Sequence, residues 1–151
     1  MVSFVAIREL TKTDLPVIIQ LINELASSLN EDFTITYDEV EKHYLEMIKN
    51  TDIYLNYVYC VDNAVVAFCS LLLYRSFFHH NGTAQINELI VSKEFRNKGI
   101  GKALLEHCIC ISKQRDMDEI EVGVMPGNKK ALEFYKSIGI NEEYILLGME
   151  F

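Results

Sequence analysis

Two hydrophobic periods alternate along this chain, and that alternation restricts the fold more than any other feature. Leu15, Ile18, Ile19, Ile22, Leu25, Ala26 and Leu29 recur at the 3.6-residue spacing of one helix face. Thr11 or Thr13 can cap this helix, and Pro16 suits its first turn. After a polar break at Asn30–Thr34, Thr36 and Glu39 form a capping box, and Tyr37, Val40, Tyr44, Met47 and Ile48 make a second helical stripe. Tyr54–Val61 and Ala64–Ser76 are strand-like, and the Asp62-Asn63 turn between them predicts a β-hairpin. Ser3–Leu10, Thr83–Val91, Glu119–Met125 and Tyr144–Phe151 read as four more strands. Ala103, Leu104, Cys108 and Ile111 mark a third helix. Asn128 caps a fourth, with Ala131, Phe134, Tyr135 and Ile138 on one face and Gly139 closing it.

The predicted order is β-α-α-β-β-β-α-β-α-β, with an optional short strand near Ile140. Strands interleaved with helices give an α/β (α+β) architecture: a mixed, partly antiparallel, twisted sheet flanked by helices. The hairpin half is expected to be antiparallel, and the β-α-β half partly parallel. No linker or repeat divides 1–151, so one domain is expected, large enough to bury roughly 70% of its unfolded surface.

Charge narrows the partners. With 14 basic and 22 acidic residues, the net charge is 14 − 22 = −8, which argues against nucleic-acid binding through phosphate neutralisation. A cationic small substrate suits that balance. The longest apolar stretch, Ala64–Tyr74, is interrupted by Ser70 and falls short of the roughly 20 residues that span a bilayer. MVSFVAIREL lacks a basic leader, so a cytoplasmic location and no membrane partner are expected. Cys60, Cys69, Cys108 and Cys110 have neither disulfide-framework nor zinc-knuckle spacing and are expected to be buried or half-buried spectators.

The chemistry concentrates in Asn87–Lys102, NELIVSKEFRNKGIGK. An apolar strand enters a loop with Arg96, Lys98, Gly99 and Gly101, and a helix follows. Such a loop presents unpaired N–H groups and the positive end of a helix dipole to an anion. Glycines let a phosphate approach the backbone. Lys93, Arg96, Lys98 and Lys102 reverse the local charge. A Walker A loop is excluded, because Gly101-Lys102 is followed by Ala103 and Arg96 replaces the first glycine. A dinucleotide fingerprint is excluded because Leu104 occupies the third glycine position.

Arg96-Asn97-Lys98-Gly99-Ile100-Gly101 resembles the R/Q-x-x-G-x-G/A loop of the Gcn5-related N-acetyltransferase (GNAT) superfamily. Asn128, Ala131, Phe134, Tyr135 and Gly139 match its N-x-x-A-x-x-F-Y-x-x-x-G-F motif, with Ile140 in place of the last Phe. The element order is similar over essentially the whole chain. The resemblance implies acetyl-CoA as co-substrate and a primary amine as acceptor. It assigns the pantetheine arm to Leu89, Ile90 and Val91, the pyrophosphate to Arg96, Asn97, Lys98, Gly99, Ile100, Gly101 and Lys102, and the acetyl end to Asn128 and Tyr135. It also implies a possible homodimer, for which Tyr144–Leu147 could serve. No metal is expected.

Direct attack of an amine on a thioester needs a base for an ammonium of pKa near 10, an oxyanion donor near Leu89–Val91, and an acid for the leaving thiolate. Tyr135 is the candidate acid; packing of its helix is the alternative. Glu88, a carboxylate inside an apolar strand, is the candidate base or ammonium ligand. Register leaves this open, because relatives that use an acidic base one position earlier would place it at Asn87. His79 and His80 lie in the loop before that strand, either as exposed loop residues or as base or metal ligand beside the acceptor. Acceptor identity is assigned to Ser27–Tyr37 and Tyr74–Gly82. The expected function is N-acetylation of a small-molecule amine. Acetylation of protein N-termini or lysines, and a non-catalytic acyl-CoA sensor, are the alternatives.

Overall fold

A computed structural model describes residues 2–151. Five strands form one sheet in the order β1-β2-β3-β4-β5, comprising β1 (Val5–Glu9), β2 (Tyr54–Val61), β3 (Ala64–Tyr74), β4 (Thr83–Val91) and β5 (Glu119–Val122). Neighbours from β1 to β4 are antiparallel, and β5 joins β4 in parallel. The mixed α/β architecture expected from the two periods is therefore present.

Four helices flank the sheet: α1 (Leu15–Ser28), α2 (Tyr37–Met47), α3 (Ile100–Gln114) and α4 (Lys129–Ser137). The Thr36–Glu39 capping box forms, with the Glu39 N–H donating to Thr36 Oγ1 and the Thr36 N–H to Glu39. Thr11 and Thr13 do not cap α1. Asp14 is its N-cap residue, and a 3-10 turn, Lys12–Asp14, precedes it. The buried Asp14 carboxylate takes hydrogen bonds from the Arg8 guanidinium at 2.7 and 2.9 Å and from the Thr11 N–H at 2.8 Å. Its pKa falls, with the Arg8 contact as the main cause, and α1 is thereby tied to β1.

The sheet has two unlike faces. Leu55, Tyr57, Cys69, Leu71, Ala84 and Ile86 pack with Ile100, Leu104, Leu105 and Cys108 of α3 and with Tyr135 of α4. On the other face Val58, Cys60, Phe68 and Ile90 pack against Ile18 and Leu21 of α1 in a smaller cluster.

The expected strand over Tyr144–Phe151 does not form, and there is none at Ile140. Ile145, Leu146, Leu147, Met149 and Phe151 are exposed. An alternating apolar run becomes a strand only where an edge accepts its backbone, and the neighbouring strand, β5, stops at Val122 rather than Met125. This segment is held by side chains instead: the Tyr144 hydroxyl donates to Glu121, and Lys136 pairs with Glu143. Cys110 is exposed, contrary to expectation, while Cys60, Cys69 and Cys108 are buried; all four are free.

Candidate functional site

Strand β4 organises the site through a change of register. Leu71 pairs with Ile86, but Ser70 pairs with Glu88, which makes Asn87 the extra residue of a β-bulge. Plain alternation would put positions 84, 86, 88 and 90 on one face. The bulge divides them: Ala84 and Ile86 face α3, Ile90 faces α1, and Glu88 lines a cavity beneath α1 and α2. Of positions 87 and 88, it is Glu88 that lines this cavity, and Asn87 is exposed.

The cavity has a volume of about 280 Å³. Its walls are mainly hydrocarbon, and Asn56, Ser70 and Glu88, with His43 and the Tyr44 hydroxyl on α2, form its polar part. Burial pushes the Glu88 carboxyl above its ordinary value, and the hydroxyl of its cross-strand partner Ser70 pulls it partly back. A carboxyl of this kind can accept a proton from an ammonium nearer neutrality than an exposed one.

Tyr135 lies on the other face, only 9% exposed and packed in the α3 cluster. Its hydroxyl is pushed up to about 12, first by burial and then by Cys69. It therefore stays protonated at neutral pH and can donate. Cys69 lies between the two candidates electrostatically. Its thiol is raised by contact with Cys108 at 3.5 Å, by burial and, further down, by the charge of Glu88.

Between the faces the sheet is open. The β4–β5 ladder ends at the Ile86–Val122 pair, and Leu89, Ile90 and Val91 continue with no β5 partner. On that side their backbone groups leave a gap in the ladder, with the Val91 carbonyl taken by Arg96, and this is the stretch assigned to the pantetheine arm.

Beyond Val91 the chain makes a 3-10 turn, Lys93–Phe95, and then the glycine loop. Gly99 is the N-cap of α3 with φ +78°, and no side chain caps the helix. Asn97 also has positive φ, at 61°. A Cβ at Gly99 would meet no atom within 4 Å, so the loop is uncrowded at Gly99 itself, and an uncapped helix start of this kind suits an anion. Phe134 of α4 lies 3.5 Å from where a Gly101 Cβ would stand, which brings α4 and Tyr135 against this loop. The loop cations differ in their engagement. The Arg96 side chain donates to the Val91 carbonyl at 2.9 Å and reaches toward Glu24 on α1 at 3.8 Å. Lys98 lies over the Phe95 ring and Lys102 near Glu106. Asn128 caps α4, its Oδ1 accepting from the Ala131 N–H at 3.2 Å.

The histidine loop is elsewhere. His79 is 3.0 Å from Glu119 and pairs with Ser76, at the opposite end of the β4–β5 ladder from the gap. Neither His79 nor His80 lines the cavity, and no residue of Tyr74–Gly82 does. From Ser27–Tyr37 the cavity takes Phe33 and Ile35, not Asn30, Glu31 or Asp32. Ser70, Asn56 and His43 of the lining were missed. Only Ser70 carried a signal, as the lone polar side chain within an apolar strand. Among the described residues no group of three potential ligands is placed to hold a metal ion, and no helix is long and apolar enough to cross a membrane.

Residues 20–140 match the model of the Acetyltransferase (GNAT) family. An uncharacterized N-acetyltransferase of Archaeoglobus fulgidus is 30% identical over 132 residues, which cover 87% of this chain and 89% of that protein. Another from Methanocaldococcus jannaschii is 40% identical over 65 residues, 43% of this chain but only 29% of that longer relative. Glucosamine-6-phosphate N-acetyltransferase from Arabidopsis thaliana superposes with a TM-score of 0.82 at 20% identity, covering 98% of this chain and 99% of that one. At that identity the likeness is one of fold.

Proposed function

The chain belongs to the GNAT family of acetyltransferases, and from that premise we propose that it transfers an acetyl group from acetyl-CoA to the primary amine of a small molecule, by direct attack in a ternary complex. The observation that carries the proposal is the placement of Glu88 and Tyr135 on opposite sides of the gap where β4 leaves β5, with the uncapped glycine loop at its end.

The residues present fit the co-substrate. The first-turn amides of α3 after Gly99, with Lys98 and Lys102 nearby, would hold the pyrophosphate, and the backbone groups of Leu89–Val91 that have no β5 partner the pantetheine amides. Acetyl-CoA supplies the acetyl group as an activated thioester. Glu88, ionised, accepts a proton from the substrate ammonium at a carboxylate oxygen, directly or through water. A backbone N–H near Leu89–Val91 steadies negative charge developing on the carbonyl oxygen. Tyr135 Oη donates a proton to the departing sulfur. The hydrocarbon cavity walls keep bulk water from the amine.

Calorimetric titration with acetyl-CoA, with ATP and NADH as controls, tests the co-substrate. Wild-type protein is expected to bind acetyl-CoA selectively at micromolar strength. Gly99→Glu is expected to weaken binding at least about a hundredfold, through like charge beside the pyrophosphate, while costing the fold only about 1–2 kcal/mol for a side chain at positive φ. Undiminished affinity in that folded variant would overturn the loop assignment. Tight binding without turnover on any amine would favour a sensor.

A further inference from the structure

We infer that the acceptor is a primary monoamine on a hydrocarbon body, aliphatic or aromatic, held with its ammonium at Glu88 and its body between α1, α2 and the sheet. This rests on the acetyltransferase reading and deepens it by naming the substrate class.

The lining is chemically lopsided. Leu15, Ile18, Val40, Tyr44, Met47 and Phe68 build most of the wall. Apart from His43 and the Tyr44 hydroxyl on α2, the polar groups gather at the sheet, where Ser70 and Glu88 are cross-strand partners, and Asn56 directs its amide to Met47 Sδ at 3.5 Å. Among the described residues of the lining there is no lysine or arginine, and Glu88 is the only carboxylate; His43 stands exposed at the mouth.

Each absence excludes a class of amine. A phosphate or carboxylate on the substrate would enter with no fixed cation to meet it, an unfavourable burial of charge. A second or third ammonium, as in a polyamine, would find no second carboxylate. A sugar would carry more hydroxyls than Asn56, Ser70, Tyr44 and His43 could meet, each one left unpaired at a cost of about tenfold in affinity. A hydrocarbon body gains from the same walls. At about 280 Å³ the cavity is just below the range of drug-sized sites, so the ligand is compact. The net charge of −8 favours a cation in solution without selecting among cations.

The test compares acceptors at saturating acetyl-CoA by following release of the CoA thiol. The set is n-propylamine, n-butylamine, n-hexylamine, 2-phenylethylamine, glucosamine 6-phosphate, spermidine and a short peptide with a free N-terminus. The expected kcat/KM rises about fourfold per added methylene until the cavity is full. Hexylamine and phenylethylamine should exceed the sugar phosphate and spermidine by roughly a hundredfold, the combined effect of about two unmet polar groups. Ile35→Trp, which fills the cavity from its loop side, should move the optimum to shorter amines while calorimetric affinity for acetyl-CoA stays the same; a purely structural role for Ile35 would not move the optimum. The inference is overturned if acetyl-CoA binds but the sugar phosphate, spermidine or the peptide is the best acceptor. It is also overturned if chain length has no effect, or if no amine is acetylated. Failure to bind acetyl-CoA at all would instead remove the acetyltransferase reading from which it starts.

Discussion

The two faces of the sheet are finished differently. Beneath α3 the face is filled: Leu104, Leu105 and Cys108 are fully buried, and Tyr135 closes the cluster. Beneath α1 and α2 the packing stops short, leaving a cavity that ends on Glu88. One strand serves both faces, and one extra residue, Asn87, decides which side chains of β4 go where. The difference shows how a chain can keep a carboxylate in a strand that is otherwise apolar. The filled face supplies stability, while the unfilled one carries the solvation cost and gives the carboxylate room for a partner.

Inserting one alanine between Ser70 and Leu71, which gives Asn87 a cross-strand partner and so removes the bulge, attacks that division most directly. Plain alternation would turn Glu88 into the α3 cluster and Leu89 toward the cavity. The expected result is loss of a cooperative thermal transition, since an unpaired buried carboxylate costs several kcal/mol. A native-like transition with acetyl-CoA still bound would mean that the bulge does not assign the faces.

A smaller effect is expected from Tyr135→Phe, which keeps the filled face packed and removes only the hydroxyl. Turnover should fall about a hundredfold to a thousandfold, with acetyl-CoA affinity changed by no more than a few-fold. Full activity would reduce Tyr135 to a packing residue.

Glu88→Gln sharpens the contrast from the other side, at about a hundredfold in kcat/KM. The pH dependence carries the diagnosis. Because burial raises the Glu88 carboxyl, wild-type kcat/KM should fall on acidification at a pH above the ordinary carboxylate range, and the Gln variant should lack that limb. Stability should move the opposite way. A raised folded-state pKa means that ionisation disfavours the fold, so the Gln variant gains stability above the unfolded-state pKa of about 4.3, and the gain vanishes below it. An unchanged limb would assign the proton to another group or to water.

The glycine loop and the α4 motif were legible in sequence because both are local. A few consecutive residues determine a glycine loop before α3 or a cap at Asn128, and the structure has both elements where they were read, adding the positive φ at Gly99. Glu88 was legible as an anomaly, a charge in an apolar strand, but its direction was not. A bulge is a two-strand property that depends on how β3 meets β4. The lining of the cavity was only half legible. Phe33 and Ile35 fell within the expected stretch, yet the acidic residues beside them do not reach the cavity, and the histidine loop lies at the wrong end of β4.

By itself the sequence determined the element types and most of their order, the glycine loop that opens α3, and the position of a phenol one turn or more into α4. Spacing of a few residues carries that information through helical and strand periods. Tertiary structure decided the rest: which way Glu88 faces, that Ser70 and Asn56 join it, that β4 parts from β5 beyond Ile86, and that Tyr144–Phe151 does not pair with the short outer edge of β5. Those outcomes depend on contacts between residues far apart in the chain, whose energies no local pattern records.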